Sequence, residues 1–161
     1  MPAPRKSPLA TTAPKLPSAD IAALGATFAD FRDVPMDLWR WPNFSPAEIA
    51  CRGTGKLKLH PEALDKLQAL RDRLGKPLIL RSAYRSPEHN RAVGGAPRSK
   101  HLDGAAFDIA MANHDPAAFE AAAREVGFLG FGFYPRSGFM HIAEGMGLAP
   151  NPLCYLSRCY N

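Results

Sequence analysis

Between Ser99 and Asp108 the chain reads Ser-Lys-His-Leu-Asp-Gly-Ala-Ala-Phe-Asp, which sets an imidazole (His101) and a carboxylate (Asp108) seven residues apart with Gly104 between them. The run from Ala105 to Met111 is apolar except for Asp108 and is bounded by Gly104 and Asn113, the pattern of a short buried strand. A carboxylate inside such a strand is costly unless it is paired or bound to a metal. His101, at the mouth of the same strand, is the nearest candidate partner. His141 follows in a second short apolar run, Gly138-Phe139-Met140-His141-Ile142. Two imidazoles and one carboxylate, with a fourth position open to water, form the donor set of a catalytic zinc ion. Taken singly, each group has a structural reading as well: a hydrogen-bonded core histidine, or an aspartate in a salt bridge to Arg81 or Arg85.

These groups have to be positioned by the elements around them. Ser45-Pro46-Ala47-Glu48 has the form of a capping box, with Ser45 as the cap and Glu48 reaching back, and predicts a short helix ending near Cys51. Leu64, Leu67, Leu70 and Leu74 share one face of a longer helix from Pro61 to Leu74, which Gly75 terminates. Leu78 to Ala83 reads as a strand. It leads into a polar segment, Tyr84 to Gly95, that opens with a single helical turn at Ser86-Pro87 and suits substrate-binding groups. Asp115-Pro116 starts a helix running through Val126, and Phe131–Tyr134 with Phe139–Ile142 form a hairpin across Pro135-Arg136-Ser137-Gly138. The fold class is therefore α+β, a small, mainly antiparallel sheet with helices packed on it.

At 161 residues the chain has room for one domain with a real core. Residues 1–38 are expected to be a lead-in rich in Pro and Ala and partly disordered, with a short helix over 20–35. Residues 39–142 are the expected domain and 143–161 a divergent tail. Trp39 and Trp41 mark the start of the compact part, packed on the core or, if exposed, stacked on a sugar ring. The net charge of +5 favours anionic partners such as cell-wall polymers, lipid headgroups or nucleic acid. No concentrated basic stripe with interleaved aromatics supports nucleic acid, and no stretch is apolar enough to span a membrane. The N-terminal segment, interrupted by Pro8, Pro14, Pro17 and Asp20, lacks the apolar run of a secretory signal, so synthesis in the cytoplasm is expected. Cys51, Cys154 and Cys159 are too few for a disulfide framework; the last two could pair, bind metal or stay free.

The motif Ser99-x-His101-x-x-Gly104-x-Ala106-x-Asp108, followed after a helix by Phe139-x-His141, resembles the zinc D-Ala-D-Ala carboxypeptidase family. That family belongs to the peptidoglycan-peptidase superfamily, which also includes the hedgehog-type zinc domain. Ser82 to Asn90 is similar to the family's Tyr-Arg segment. Phe44 to Glu48 and Gly94-Gly95-Ala96 are similar to its shorter phage-lysin branch. The resemblance covers roughly residues 41–142. It implies a hedgehog/DD-peptidase-like zinc domain in which His101, Asp108 and His141 hold one zinc ion. A zinc-bound water would attack a peptide bond of the cell-wall stem or crosslink. It assigns Arg85 to the oxyanion or a substrate carboxylate, and Ser99 to substrate or to the orientation of His101; a salt bridge to Asp108 or Glu88 and a turn cap are the structural alternatives. It also implies action at the cell wall, by a protein expected to be a monomer. His60, His89 and His114 receive no ligand role.

The chain departs from the family at one place. Related lysins carry an acid two residues after the last histidine, where it can serve as general base. Here the run is His141-Ile142-Ala143. Glu144 comes next but would face the other side of a strand. Gly138 leaves the placement used by the dipeptidase branch without an acid. The expectation is an impaired zinc peptidase, with a catalytically silent zinc domain that binds cell-wall peptide or serves in a virion as the alternative.

Overall fold

The computed structural model describes residues 27–145. Four strands form one antiparallel sheet in the order β3-β4-β6-β5: β3 (Leu80–Ser82), β4 (Ala106–Ala110), β5 (Gly130–Tyr134) and β6 (Phe139–Ala143). β4 is buried along its whole length, with β3 on one side and β6 on the other. β5 and β6 are the two arms of the hairpin expected from Phe131 to Ile142. A two-stranded ribbon, β1 (Thr27–Phe28) with β2 (Leu57–Lys58), lies apart from this sheet.

Strand alternation divides the sheet into two faces. Phe107 and Ile109 of β4 and Met140 and Ile142 of β6 join the hydrophobic core. They share it with Leu64, Leu67 and Leu70 of helix α2 (Pro61–Leu74) and with Phe119 and Ala123 of helix α4 (Pro116–Glu125). Asp108 and His141, offset by one residue from those core positions, therefore lie on the opposite face. The local signals behave as expected. Ser45 and Glu48 close both halves of the capping box on α1 (Pro46–Ile49), and Gly75 ends α2 in the left-handed region. The helical turn at Ser86-Pro87 is α3 (Pro87–Ala92). Among the described residues no helix is long and apolar enough to cross a membrane.

Three expected boundaries move. The packed unit begins before residue 39: β1 pairs with β2, and Val34 and Leu38 are buried in the core. From residue 27 onward the expected helix is replaced by β1 and a 3-10 turn, Phe31–Asp33, capped by the Asp30 side chain. Pro35 contributes no amide donor, so a continuous helix cannot pass it. The strand expected from Leu78 narrows to Leu80–Ser82, with a register irregularity against β4. At the other end β6 includes Ala143, and Glu144 N–H donates to Ala105 O, so the sheet extends past residue 142. Residues 1–26 and 146–161, including Cys154 and Cys159, lie outside the described residues.

The tryptophans pack rather than protrude. Trp41 is buried and its indole N–H donates to Asp65 Oδ1 at 2.8 Å, while Trp39 donates to Phe44 O at 2.8 Å.

Candidate metal centre

The strand pairing itself assembles the site. Asp108 and His141 are direct cross-strand partners in β4 and β6, so their side chains leave the same face side by side. His141 Nδ1 lies 2.9 Å from Asp108 Oδ1. His101 approaches the same oxygen from a 3-10 turn, Lys100–Asp103, with its Nε2 at 3.2 Å. Ser99 Oγ accepts the His101 backbone N–H at 3.3 Å and so caps that turn. Gly104 closes it at φ +71°, and a Cβ there would stand 2.7 Å from Lys58 O. Only glycine meets both the dihedral and the close approach.

The electrostatics favour a cation. Burial alone would push the Asp108 carboxyl up, but the His101 and His141 imidazoles at its Oδ1 outweigh it and hold the group well below the usual carboxylate range. His101 Nδ1 sits 2.6 Å from Ala83 O, a contact that requires the N–H on Nδ1. That proton placement leaves the Nε2 lone pair directed at the cluster, the arrangement common to metal-binding histidines. The three ligand atoms lie within 4.8 Å of one another. A tetrahedral ion about 2.1 Å from each needs donors about 3.4 Å apart, close to the 3.2 and 2.9 Å from Asp108 Oδ1 to the two imidazoles. The donor set fits zinc in both chemistry and size. Among the described residues no other group of histidines, cysteines and carboxylates gathers in this way.

Arg85 is held at the β3 side of the cluster. Its backbone N–H donates to His101 O at 3.0 Å, and its guanidinium donates to Asn90 Oδ1 at 3.1 Å and Ser82 Oγ at 3.5 Å. Ser82 is the register partner of Asp108. Gly95 lets the following loop lie against this pair, since a Cβ there would come within 2.8 Å of Arg85 Nη1. Among the described residues no carboxylate neutralises Arg85, so neither structural salt bridge weighed for it forms. Glu88 pairs with Lys56, and Arg81, the other arginine considered for Asp108, donates to Ser137 O instead.

The remaining histidines stay outside the cluster. His60 caps α2 by accepting the Ala63 N–H, and His114 hydrogen-bonds Pro77 O and packs edge-on against Phe119. His89 lies against Gly53. Glu144 turns to the helix side, where Lys66 Nζ approaches it at 2.5 Å and His60 at 3.2 Å. Ala143 is buried, facing the same side as His141 between Ala106 and Gly130.

Sequence reasoning overlooked Tyr134. Its ring stacks on Phe139 at 4.5 Å and leans across Gly132, the cross-strand partner of His141. Burial, and secondarily the Asp108 charge, raise its phenol pKa, so the hydroxyl keeps its proton. The signal was present as period-two alternation: Gly132 and Tyr134 share the face of the metal cluster.

A profile of the peptidase M15 family matches residues 42–143. The zinc D-Ala-D-Ala carboxypeptidase of Streptomyces albus G is 38% identical over 86 residues, 51% of this chain and 34% of that protein. The peptidoglycan L,D-endopeptidase MepK of Escherichia coli K12 is 38% identical over 99 residues, 54% of this chain and 52% of that protein. The chain thus spans about a third to a half of the length of these curated relatives. The profile match takes in β3 to β6 and every residue of the candidate metal cluster, and with it the chain belongs to the peptidase M15 family.

Proposed function

We propose that this protein is a zinc-dependent peptidase that hydrolyses peptide bonds of bacterial peptidoglycan at the cell wall, of the phage-lysin type. The observation that carries this reading is the convergence of His101, Asp108 and His141 on one point of the sheet. The relatives named for zinc and for peptidoglycan supply the substrate class. A zinc ion held there supplies Lewis acidity towards a carbonyl oxygen and a water acidic enough to act near neutral pH. Asp108 contributes the negative charge of the ligand set. His101 is fixed by Ala83 O so that its Nε2 is presented without rotation. Arg85, tethered through neutral partners, keeps its charge available for a substrate carboxylate or a developing oxyanion. Ser99 acts through the turn that carries His101.

A second reading has its own observation. Position 143, where the related lysins carry an acid, is Ala143. Neither nearby acid replaces it: Glu144 is turned to the helix side and paired with Lys66, and Glu88 pairs with Lys56. Removing a general base typically lowers the rate by about 10²–10⁴-fold. The chain is then an impaired peptidase or, at the limit, a silent zinc domain that binds cell-wall peptide. Zinc-loaded protein incubated with purified peptidoglycan, with products mapped by mass spectrometry, separates the two. New termini at D-Ala-D-Ala or L,D linkages support the peptidase; binding to sacculi without any new terminus supports the silent domain.

A further inference from the structure

The metal cluster has Arg85 on its β3 side, and a second polar group stands on its β5 side. Cross-strand rows define the place. Tyr134 pairs with Phe139, which pairs with Ala110; two rows along, the next on the same face, Gly132 pairs with His141, which pairs with Asp108. The Tyr134 ring does not stay in its own row. A Cβ built on Gly132 would meet Tyr134 Cε2 at 3.2 Å, its hydroxyl oxygen at 3.8 Å and His141 Cβ at 3.7 Å. The ring therefore lies over Gly132, and its hydroxyl end stands in the row of His141 and Asp108.

Two features hold it there. Phe139 stacks on the ring nearly parallel, at 12°, and the Arg81 guanidinium lies over Phe139 at 5.9 Å. The lack of a side chain at Gly132 leaves the space the ring occupies, because a Cβ there would press on its edge at 3.2 Å. A phenol so confined loses little freedom when it meets a ligand, the condition under which a hydrogen-bond donor contributes most to a transition state.

Resting on the peptidase reading, we propose that Tyr134 is a catalytic residue of this site, its hydroxyl donating a hydrogen bond to the carbonyl oxygen of the scissile peptide bond from the β5 side, opposite Arg85. The bound peptide then crosses the strands, with its carboxylate side towards Arg85 and the reacting carbonyl between the metal cluster and Tyr134. The hydrogen bond strengthens as negative charge builds on that oxygen, so its effect falls on turnover more than on substrate binding.

Tyr134→Phe is the informative variant, since it keeps the ring, the stack on Phe139 and the contact with Gly132. Parent and variant, both zinc-loaded, are compared in two assays: hydrolysis of defined muropeptides with D-Ala-D-Ala and L,D linkages, and calorimetric titration with phosphinate pseudopeptides of the same linkages, which does not depend on turnover. The expected result is a kcat at least about tenfold lower with KM within about twofold, and phosphinate binding at least about tenfold weaker. Zinc content and melting temperature should be unchanged. If the variant matches the parent in both assays, or loses zinc or thermal stability in step with its activity, the Tyr134 role is overturned and the peptidase reading stands. A parent that neither cleaves the muropeptides nor binds the phosphinates overturns both.

Discussion

Asp108 meets both histidines through a single oxygen, and that geometry makes the three residues interdependent. Replacing any of them by alanine leaves two protein donors, one short of the three a catalytic zinc site uses. His101→Ala, Asp108→Ala and His141→Ala should each lose zinc under mild chelation, while His60→Ala and His114→Ala retain it, as read by elemental analysis. His60→Ala should instead lower the melting temperature, because it removes the α2 cap, an interaction of about 1 kcal/mol. Ala143 offers a test in the gain direction. It faces the same side as His141, so Ala143→Asp should raise peptidoglycan hydrolysis by at least about tenfold with zinc content nearly unchanged. Its position is buried between Ala106 and Gly130. The metal-free variant should therefore be less stable than the metal-free parent by about 1–3 kcal/mol, the cost of an incompletely satisfied buried carboxylate. Equal activity of parent and variant would place the base elsewhere. The convergence of His101, Asp108 and His141 was legible in the sequence because strand alternation and a family-like motif agree on it. Tyr134 was not, because an aromatic in a hairpin arm reads as core until the ring's lean over Gly132 is seen.

The elements matter here chiefly through two turns that end in left-handed glycines. Gly104 and Gly75 have nearly the same φ, +71° and +63°, but different surroundings. A side chain at Gly75 meets nothing within 4 Å, whereas one at Gly104 runs into Lys58 O. Gly75→Ala should cost about 1–2 kcal/mol of stability from the dihedral alone and leave zinc binding intact. Gly104→Ala should cost more and also weaken zinc binding, because relieving the contact moves the turn that carries His101. Melting curves with and without zinc distinguish the two; equal zinc affinity in both variants would mean the turn can shift without moving the imidazole. The caps, α2, α4 and the β5–β6 hairpin were all legible, since each depends on residues adjacent in sequence. The ribbon of β1 and β2 was not: its pairing partners are thirty or so residues apart, and two-residue strands carry no periodicity to read.

At the scale of the whole molecule the sheet works as a divider. One face is closed by α2 and α4 over the core, and the other carries the metal cluster between Arg85 and Tyr134. Substrate delivery to that open face is a separate matter from its chemistry. The chain has 20 lysines and arginines against 15 aspartates and glutamates, a net charge of +5. Such an excess attracts anionic polymers at long range, and salt weakens the attraction as the screening length falls from about 10 Å at 0.1 M to about 3 Å at 1 M. Interactions made inside the site, at hydrogen-bond distance and partly shielded from solvent, are screened much less. The two contributions therefore separate with ionic strength. Co-sedimentation with intact sacculi should drop by about half or more between those salt concentrations. Cleavage of a short muropeptide fragment of zero net charge should change by less than about twofold over the same range. Retention on sacculi that does not respond to salt would mean that the site itself, rather than the charge, holds the protein on the wall. In that case Arg85→Ala, which removes a charge next to the cluster, should release it, whereas neutralising lysines far from the cluster should not.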